Sequence, residues 1–231
     1  MRNLLRSVVL LLACTAVAVA QTPPGEKAIA PEIQDLGNQR YRIGDIEIDK
    51  ANSVFTVAGT VLRDAPPLEF LVVTKGGYKA YEALLEVNAD AFAFNLACIL
   101  IGLDASDYPP IRDGAIDKRI EGDPVEILVS WVEDGNKVIV NSARLLVTGE
   151  PPQPVASDDW LYTGSVMLED GRYLAALSGT LIGFVHRSES IIEHKQGIGL
   201  LDYGSVAVNS AIIPPVGAGI ELIVRRRDKG R

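Results

Sequence analysis

Apolar and polar residues alternate along several stretches of this chain, and one apolar run breaks that rhythm. Tyr78 to Val87 places Lys79, Tyr81, Ala83, Leu85 and Val87 on one face and Tyr78, Ala80, Glu82, Leu84 and Glu86 on the other, which predicts a strand with a partly wet region. From Ala91 to Leu103 only Asn95 and Gly102 interrupt an apolar run. Phe92, Leu96, Ile99 and Leu103 share one helical stripe, and Phe94, Cys98 and Ile101 fill other sides. A helix apolar nearly all round is either buried or membrane-spanning, and this run falls short of the ~18–20 residues that a span needs. The pattern therefore predicts a core helix over about 89–102. Asn88 is its expected N-cap, Asp90 sits in its first turn, and Gly102 ends it in the C′ position. Asn95, in mid-helix, needs a partner, because an unpaired buried amide costs ~1–3 kcal/mol. A nearby backbone group and a pocket are the two alternatives.

Around this unit the chain reads as short strands. Arg42–Ile48, Val54–Leu62, Leu68–Thr74, Val125–Trp131, Lys137–Val140, Trp160–Leu168, Tyr173–Leu177, Leu181–His186, Ser205–Val208 and Ile220–Arg225 all carry strand patterns. Gly59 suggests a bulge. Leu68–Thr74 is nearly all apolar and predicts a strand covered on both faces. Gly76-Gly77 and Glu133-Asp134-Gly135-Asn136 predict hairpin turns. Ser188–His194 reads as a helical turn, Ser142–Val147 fits either a short helix or an extended piece, and Asp104–Asp123 is a long polar loop. Hairpin-connected strands with one good helix predict an α+β fold: a mainly antiparallel sheet, free to curl, around one buried core helix. No repeat of fixed period is visible.

The first twenty residues add a compartment. Arg2 and Arg6, the apolar Val8–Val19 and the end Ala18-Val19-Ala20 match a secretory signal cleaved before Gln21; lipoprotein processing at Cys14 is the alternative. The expected product is an exported, periplasmic or extracellular protein with no transmembrane span after cleavage. A loosely ordered leader (21–38), one globular domain (39–226) and a basic tail (227–231) follow. Cleavage leaves 20 basic against 30 acidic residues, a net charge of −10. That balance argues against nucleic acid as a partner. Cys98 becomes the only cysteine, so no intramolecular disulfide can form, and its place in the apolar run predicts an inert thiol.

Candidate chemistry is sparse. His186 and His194 lie eight apart, which matches no metal-ligand spacing, and no phosphate-binding glycine motif or G-x-S-x-G elbow occurs. No metal, cofactor or catalytic residue is assigned. Glu82 and Glu86, four apart on a strand, would lie ~13 Å from each other, a poor glycosidase pair. A dyad of Ser165 or Ser178 with His186 can be drawn, but spacing alone does not assemble it.

Several segments in order carry a resemblance: LEFLVVT, GYKAYEALLEV, the apolar helix ending in LIG, DPVEILVSW, WLYTGS, YLAALSGTLIGFVH and PPVGAGIELIV. Over about Leu68 to Val224 the chain resembles the YdjY-domain proteins of bacteria. The resemblance implies no established activity. Some relatives are associated with an iron–sulfur role, whose cysteines are missing here. Relatives commonly carry a histidine early in the core helix, near the position of Asn95.

Three readings remain. The first is a non-catalytic domain that binds a small molecule or an envelope protein. Its expected ligand-binding residues are Lys79, Tyr81 and Glu82 together with Asn95 at the strand–helix junction, followed by Trp160, Tyr162 and Ser165. The second is a hydrolase using Ser, His and carboxylate groups. The third is an assembly module pairing through edge strands.

Overall fold

The computed structural model describes residues 31–109, 120–155, 159–199 and 203–228. The signal segment, the first part of the leader, residues 110–119 of the polar loop and the last three residues of the tail lie outside the described residues.

The chain is mostly β, with 41% strand and 12% helix, and its centre is a closed eight-stranded mixed barrel. The strands are β1 (Gln34–Gly37), β2 (Arg40–Ile43), β3 (Ile46–Asp49), β4 (Val54–Val61), β5 (Phe70–Thr74), β6 (Ala83–Val87), β7 (Asp123–Glu133) and β8 (Asn136–Asn141). They continue as β9 (Leu146–Thr148), β10 (Gln153–Pro154), β11 (Trp160–Tyr162), β12 (Thr180–Gly183), β13 (Ile192–His194), β14 (Ala207–Val208) and β15 (Gly219–Arg226). Helix α1 spans Ala91–Leu100 and the short α2 spans Leu174–Ser178.

The barrel order is β4-β15-β7-β11-β13-β12-β5-β6, closed by the antiparallel pairing of β6 with β4. This corrects the expected α+β fold with a mainly antiparallel sheet. Closure is a long-range event that hydrophobic alternation does not encode. Two of the barrel pairs, β5–β6 and β12–β13, are parallel. Outside the barrel, β3, β2 and β1 extend from β4, β8 flanks β7, and β10-β9-β14 form a separate small sheet.

The barrel also has an internal symmetry of topology. If β4, β5, β6 and β7 are exchanged with β11, β12, β13 and β15, the cyclic strand order reads the same in reverse. A two-fold axis between β7 and β15 on one side, and between β5 and β12 on the other, produces that pattern. Both of those pairs are antiparallel, as such an axis requires. Each half contains a parallel pair joined by a connection of eight residues, 75–82 and 184–191.

The connection at 75–82 overturns the expected hairpin at Gly76-Gly77. The chain turns back there and runs through a 3-10 turn at Ala80–Glu82 before β6 starts, so the predicted strand from Tyr78 is shortened to Ala83–Val87. Gly59 is not a bulge: its register with β15 is regular. It sits at the closure seam, paired with both Ile220 of β15 and Val87 of β6, where a Cβ would collide with the Glu86 carbonyl oxygen. In the expected strand Tyr173–Leu177 only Tyr173 is extended, bridging Met167, and the chain is helical from Leu174; the expected helical turn at 188–194 ends in strand β13. The strand expected over Trp160–Leu168 stops at Tyr162. Ser142–Leu145 is a 3-10 turn leading into β9.

Other expectations hold. Strand β5 is buried on both faces. The β7–β8 hairpin turns on Asp134 (φ 49°) and Gly135 (φ 79°), the two left-handed residues that a tight turn of this hand needs. Helix α1 packs on the core through Ala91, Phe94, Ala97 and Cys98, with the Phe94 ring edge-on to Phe55 of β4 at 5.2 Å. In the stripe of Phe92, Leu96, Ile99 and Leu103, Ile99 is exposed, Phe92 and Leu96 are half-buried and Leu103 is in the core. The N-cap is Asp90, whose carboxylate accepts the Ala93 N–H at 2.8 Å, rather than Asn88. Gly102 ends the helix as expected: with φ 90° it lets its own N–H reach the Ile99 carbonyl and the Leu103 N–H reach the Cys98 carbonyl.

Candidate functional site

The 75–82 connection carries Lys79, Tyr81 and Glu82 of the residues expected to bind a ligand, and the fold gathers these three around the buried Glu82 carboxylate. Glu82 is 3% exposed in its side chain and accepts a 2.7 Å hydrogen bond from Lys79, which is 21% exposed. The 3-10 turn places the two residues three apart on one side, a geometry that the predicted strand would not have produced. Burial works against the Lys79 ammonium. The Glu82 carboxylate and the Tyr81 hydroxyl outweigh it and hold the Lys79 pKa above its usual value. The ammonium stands 3.3 Å from the Tyr81 hydroxyl and 5.6 Å from the ring centroids of both Tyr81 and Phe70, within cation–π range.

Two residues not singled out from the sequence complete this cluster. Tyr78 meets Tyr81 edge to face, with centroids 6.3 Å apart and ring planes at 89°. Tyr203 brings its hydroxyl to 3.5 Å from the second Glu82 oxygen. Partial desolvation first, and the neighbouring Glu82 charge next, raise the Tyr203 pKa. Tyr78, Tyr81 and Tyr203 are 75%, 54% and 63% exposed. Tyr78 adjoins the expected residues in the chain, a signal that sequence alone provides. Tyr203 lies 121 positions from Glu82, and no local pattern connects them.

Asn95 does not join this cluster. Its side-chain oxygen accepts the Tyr162 hydroxyl at 2.8 Å, so the partner of this mid-helix amide is neither of the two alternatives but a side chain of β11. Burial pushes the Tyr162 pKa up, and the hydroxyl acts as a donor. Trp160 is buried in the core, its ring edge-on to His194 at 5.2 Å. Ser165 takes a positive φ of 57° and its hydroxyl donates to the Ser188 and Glu189 carbonyls, 3.1 Å each, tying this turn to the 184–191 connection.

Tyr162 and Ser165 also line a cleft of about 680 Å³ at the C-terminal end of α1, with Leu103, Asp104, Tyr108 and Thr163. Its polar groups are engaged with the protein itself. The Asp123 carboxylate accepts the Asp104 N–H and the Tyr108 hydroxyl at 3.0 Å each. The Thr163 hydroxyl lies 3.2 Å from the Ile191 carbonyl and that of Tyr162 faces Asn95.

The drawn dyads are not assembled. The Ser178 hydroxyl lies against the Leu174 and Ala175 carbonyls, Ser165 is bonded as above, and His186 Nε2–H donates to the His194 carbonyl at 2.9 Å. That bond leaves His186 Nδ1 as the unprotonated nitrogen, buried without a hydrogen-bond partner among the described residues. Burial lowers the His186 pKa. Beside it, Glu193 is fully buried and accepts the backbone N–H groups of His186 (3.1 Å) and Arg187 (3.0 Å). Desolvation outweighs these bonds and raises its pKa to about 7. The Cys98 thiol is also pushed up by burial.

Among the described residues no group of three or more His, Cys, Asp or Glu side chains is placed to hold a metal ion, and no helix is long and apolar enough to cross a membrane. Of the edge strands, β8 has one barrel neighbour, β7, and its Lys137 is paired with Glu221 at 2.8 Å.

These features define a small closed β-barrel domain with an external tyrosine surface. The chain belongs to the YdjY-domain family, whose sequence model matches residues 46–225, which takes in most of the barrel. No curated protein and no solved structure matches the chain.

Proposed function

We propose that this chain is an exported, non-catalytic binding domain whose ligand surface is the tyrosine cluster around Glu82. The observation that carries this reading is the exposure of three tyrosine rings over one buried ion pair. Tyrosine supplies a large amphipathic contact area with few rotatable bonds, and it is enriched where proteins bind partners. Two of the rings are held before any ligand arrives: Tyr81 by the Lys79 ammonium, and Tyr78 and Tyr81 by each other. Preorganisation of this kind reduces the ordering cost of binding. Export rests on the signal-like Arg2-to-Ala20 segment and on the acidic balance of the remainder.

A thermal-shift screen of residues 21–231 against metals, sugars, peptidoglycan fragments and nucleotides tests the reading, together with capture from an envelope extract. A ligand at about 100 times its Kd adds ~2.7 kcal/mol to the folded state. The reading expects a hit or a captured partner that is lost in the double variant Tyr78→Ala/Tyr203→Ala, whose own melting temperature stays near that of the parent. Retention of every hit and partner by that variant would overturn it.

A further inference from the structure

The chemistry of the tyrosine surface restricts the ligand it can take, given the binding role proposed for it. We propose that Tyr78, Tyr81 and Tyr203, with Lys79 and Glu82, bind an uncharged pyranose oligosaccharide.

A pyranose has a face of C–H bonds and a rim of hydroxyls. It needs a flat, electron-rich ring under the face and oriented donors and acceptors at the rim. The cluster offers both. Tyr78 and Tyr81 set their rings at right angles, so that a sugar stacked on one ring face is flanked by the other residue. Three tyrosine hydroxyls and one ammonium lie at the rim. Lys79 spends two of its three N–H donors on Glu82 and Tyr81, which leaves one for a ligand oxygen. The Tyr203 hydroxyl makes only a 3.5 Å contact with Glu82, at the outer limit of a hydrogen bond, and is open to a better partner.

Charge selects within this class. Glu82 neutralises Lys79 at 2.7 Å, and Glu69, whose charge reaches Tyr203, is paired with Arg187 at 3.7 Å, so the surface presents no net positive charge to an anionic ligand. The whole chain carries −8, which repels polyanions at long range. A protein partner would need a desolvated apolar centre. Here an ammonium stands 5.6 Å from two ring centroids, and the centre of the patch remains polar.

The test is a titration of the full chain, with its tyrosine rings labelled, by tetra-N-acetylchitotetraose, cellotetraose and maltotetraose, followed by NMR. A saturable shift of the Tyr78, Tyr81 and Tyr203 ring signals by at least one of the three is expected, with Kd on the order of millimolar for so open a site. Tyr78→Ala is expected to weaken it about tenfold, the loss of one stacking contact, and Tyr78→Phe to keep it within about twofold. Tyr78 is exposed, so both variants fold.

Failure of all three sugars to move these signals at about 20 mM overturns the oligosaccharide assignment. So does binding that Tyr78→Ala leaves unchanged. The binding reading is judged separately. It stands if another ligand or a captured partner still depends on Tyr78 and Tyr203, and it falls with the sugar if none does.

Discussion

Lys79 and Glu82 form a 2.7 Å ion pair in which the acid is almost wholly buried and the base mostly so. Removing one member leaves the other charge without compensation in a partly desolvated place. Lys79→Met, which leaves the more deeply buried Glu82 carboxylate unpaired, is therefore expected to destabilise the fold by roughly 1–3 kcal/mol, and Glu82→Gln by less, since the amide oxygen still accepts from the more exposed ammonium. A double-mutant cycle in urea measures the coupling. Strict additivity of the two changes would show that the pair contributes nothing as a pair.

Asn95 and Tyr162 join the helix to the barrel wall through one hydrogen bond. Tyr162→Phe removes the donor while keeping the ring, and is expected to cost about 1 kcal/mol. Asn95→Ala should cost a similar amount, and the double variant clearly less than the sum of the two. Equilibrium denaturation of the three variants is the check.

Gly59 lies where β4 meets both β15 and β6. Gly59→Ala drives a methyl group into the Glu86 carbonyl and the Val87 side chain, and is expected to destabilise by at least about 2 kcal/mol. Gly219→Ala, in β15 near the same seam, meets nothing within 4 Å and serves as the control, expected within about 0.5 kcal/mol of the parent. Equal melting temperatures for the two variants would contradict the closure geometry.

Glu193 ties the 184–191 connection to β13, and its pKa is raised from 4.5 to about 7. Between those values the folded state binds more protons than the unfolded state. Its contribution to stability is therefore largest below pH 4.5, falls as pH rises, and is fully lost above about pH 7, a swing of roughly 3 kcal/mol. His186 acts in the opposite direction: its lowered pKa makes stability fall as pH drops below the unfolded value of 6.5. Comparison with Glu193→Gln separates the two. The parent should gain on this variant as pH is lowered from 7.5 to 5, measured as the difference in melting temperature. A constant difference would refute the assignment. Asp49 and Asp170, whose pKa values are lowered from 3.8, act below this window.

Much of the candidate surface is legible without the fold. Lys79, Tyr81 and Glu82 are neighbours in the chain, rich in polar and aromatic character, and they do meet in space. The strand that alternation predicts there, leading to Asn95, does not form. The 3-10 turn brings Lys79 and Glu82, three apart, to one side that a strand would have split, and Asn95 turns instead to Tyr162. Trp160 and Ser165 have side chains suited to a ligand, but packing and backbone carbonyls occupy them.

Local physics is enough for those elements whose partners are close in the chain. The Asp134-Gly135 hairpin, the doubly covered β5, the burial of α1 and its stop at Gly102 each depend on side-chain size, φ preference or apolar periodicity over a few residues. Barrel closure, the parallel pairs and the arrival of Tyr203 beside Glu82 depend on which distant segments come together. Strand alternation specifies which face of a strand is apolar and leaves open which neighbour it joins and in which direction. That choice is made by the summed packing of the whole barrel, and with it the position of every residue that a ligand could touch.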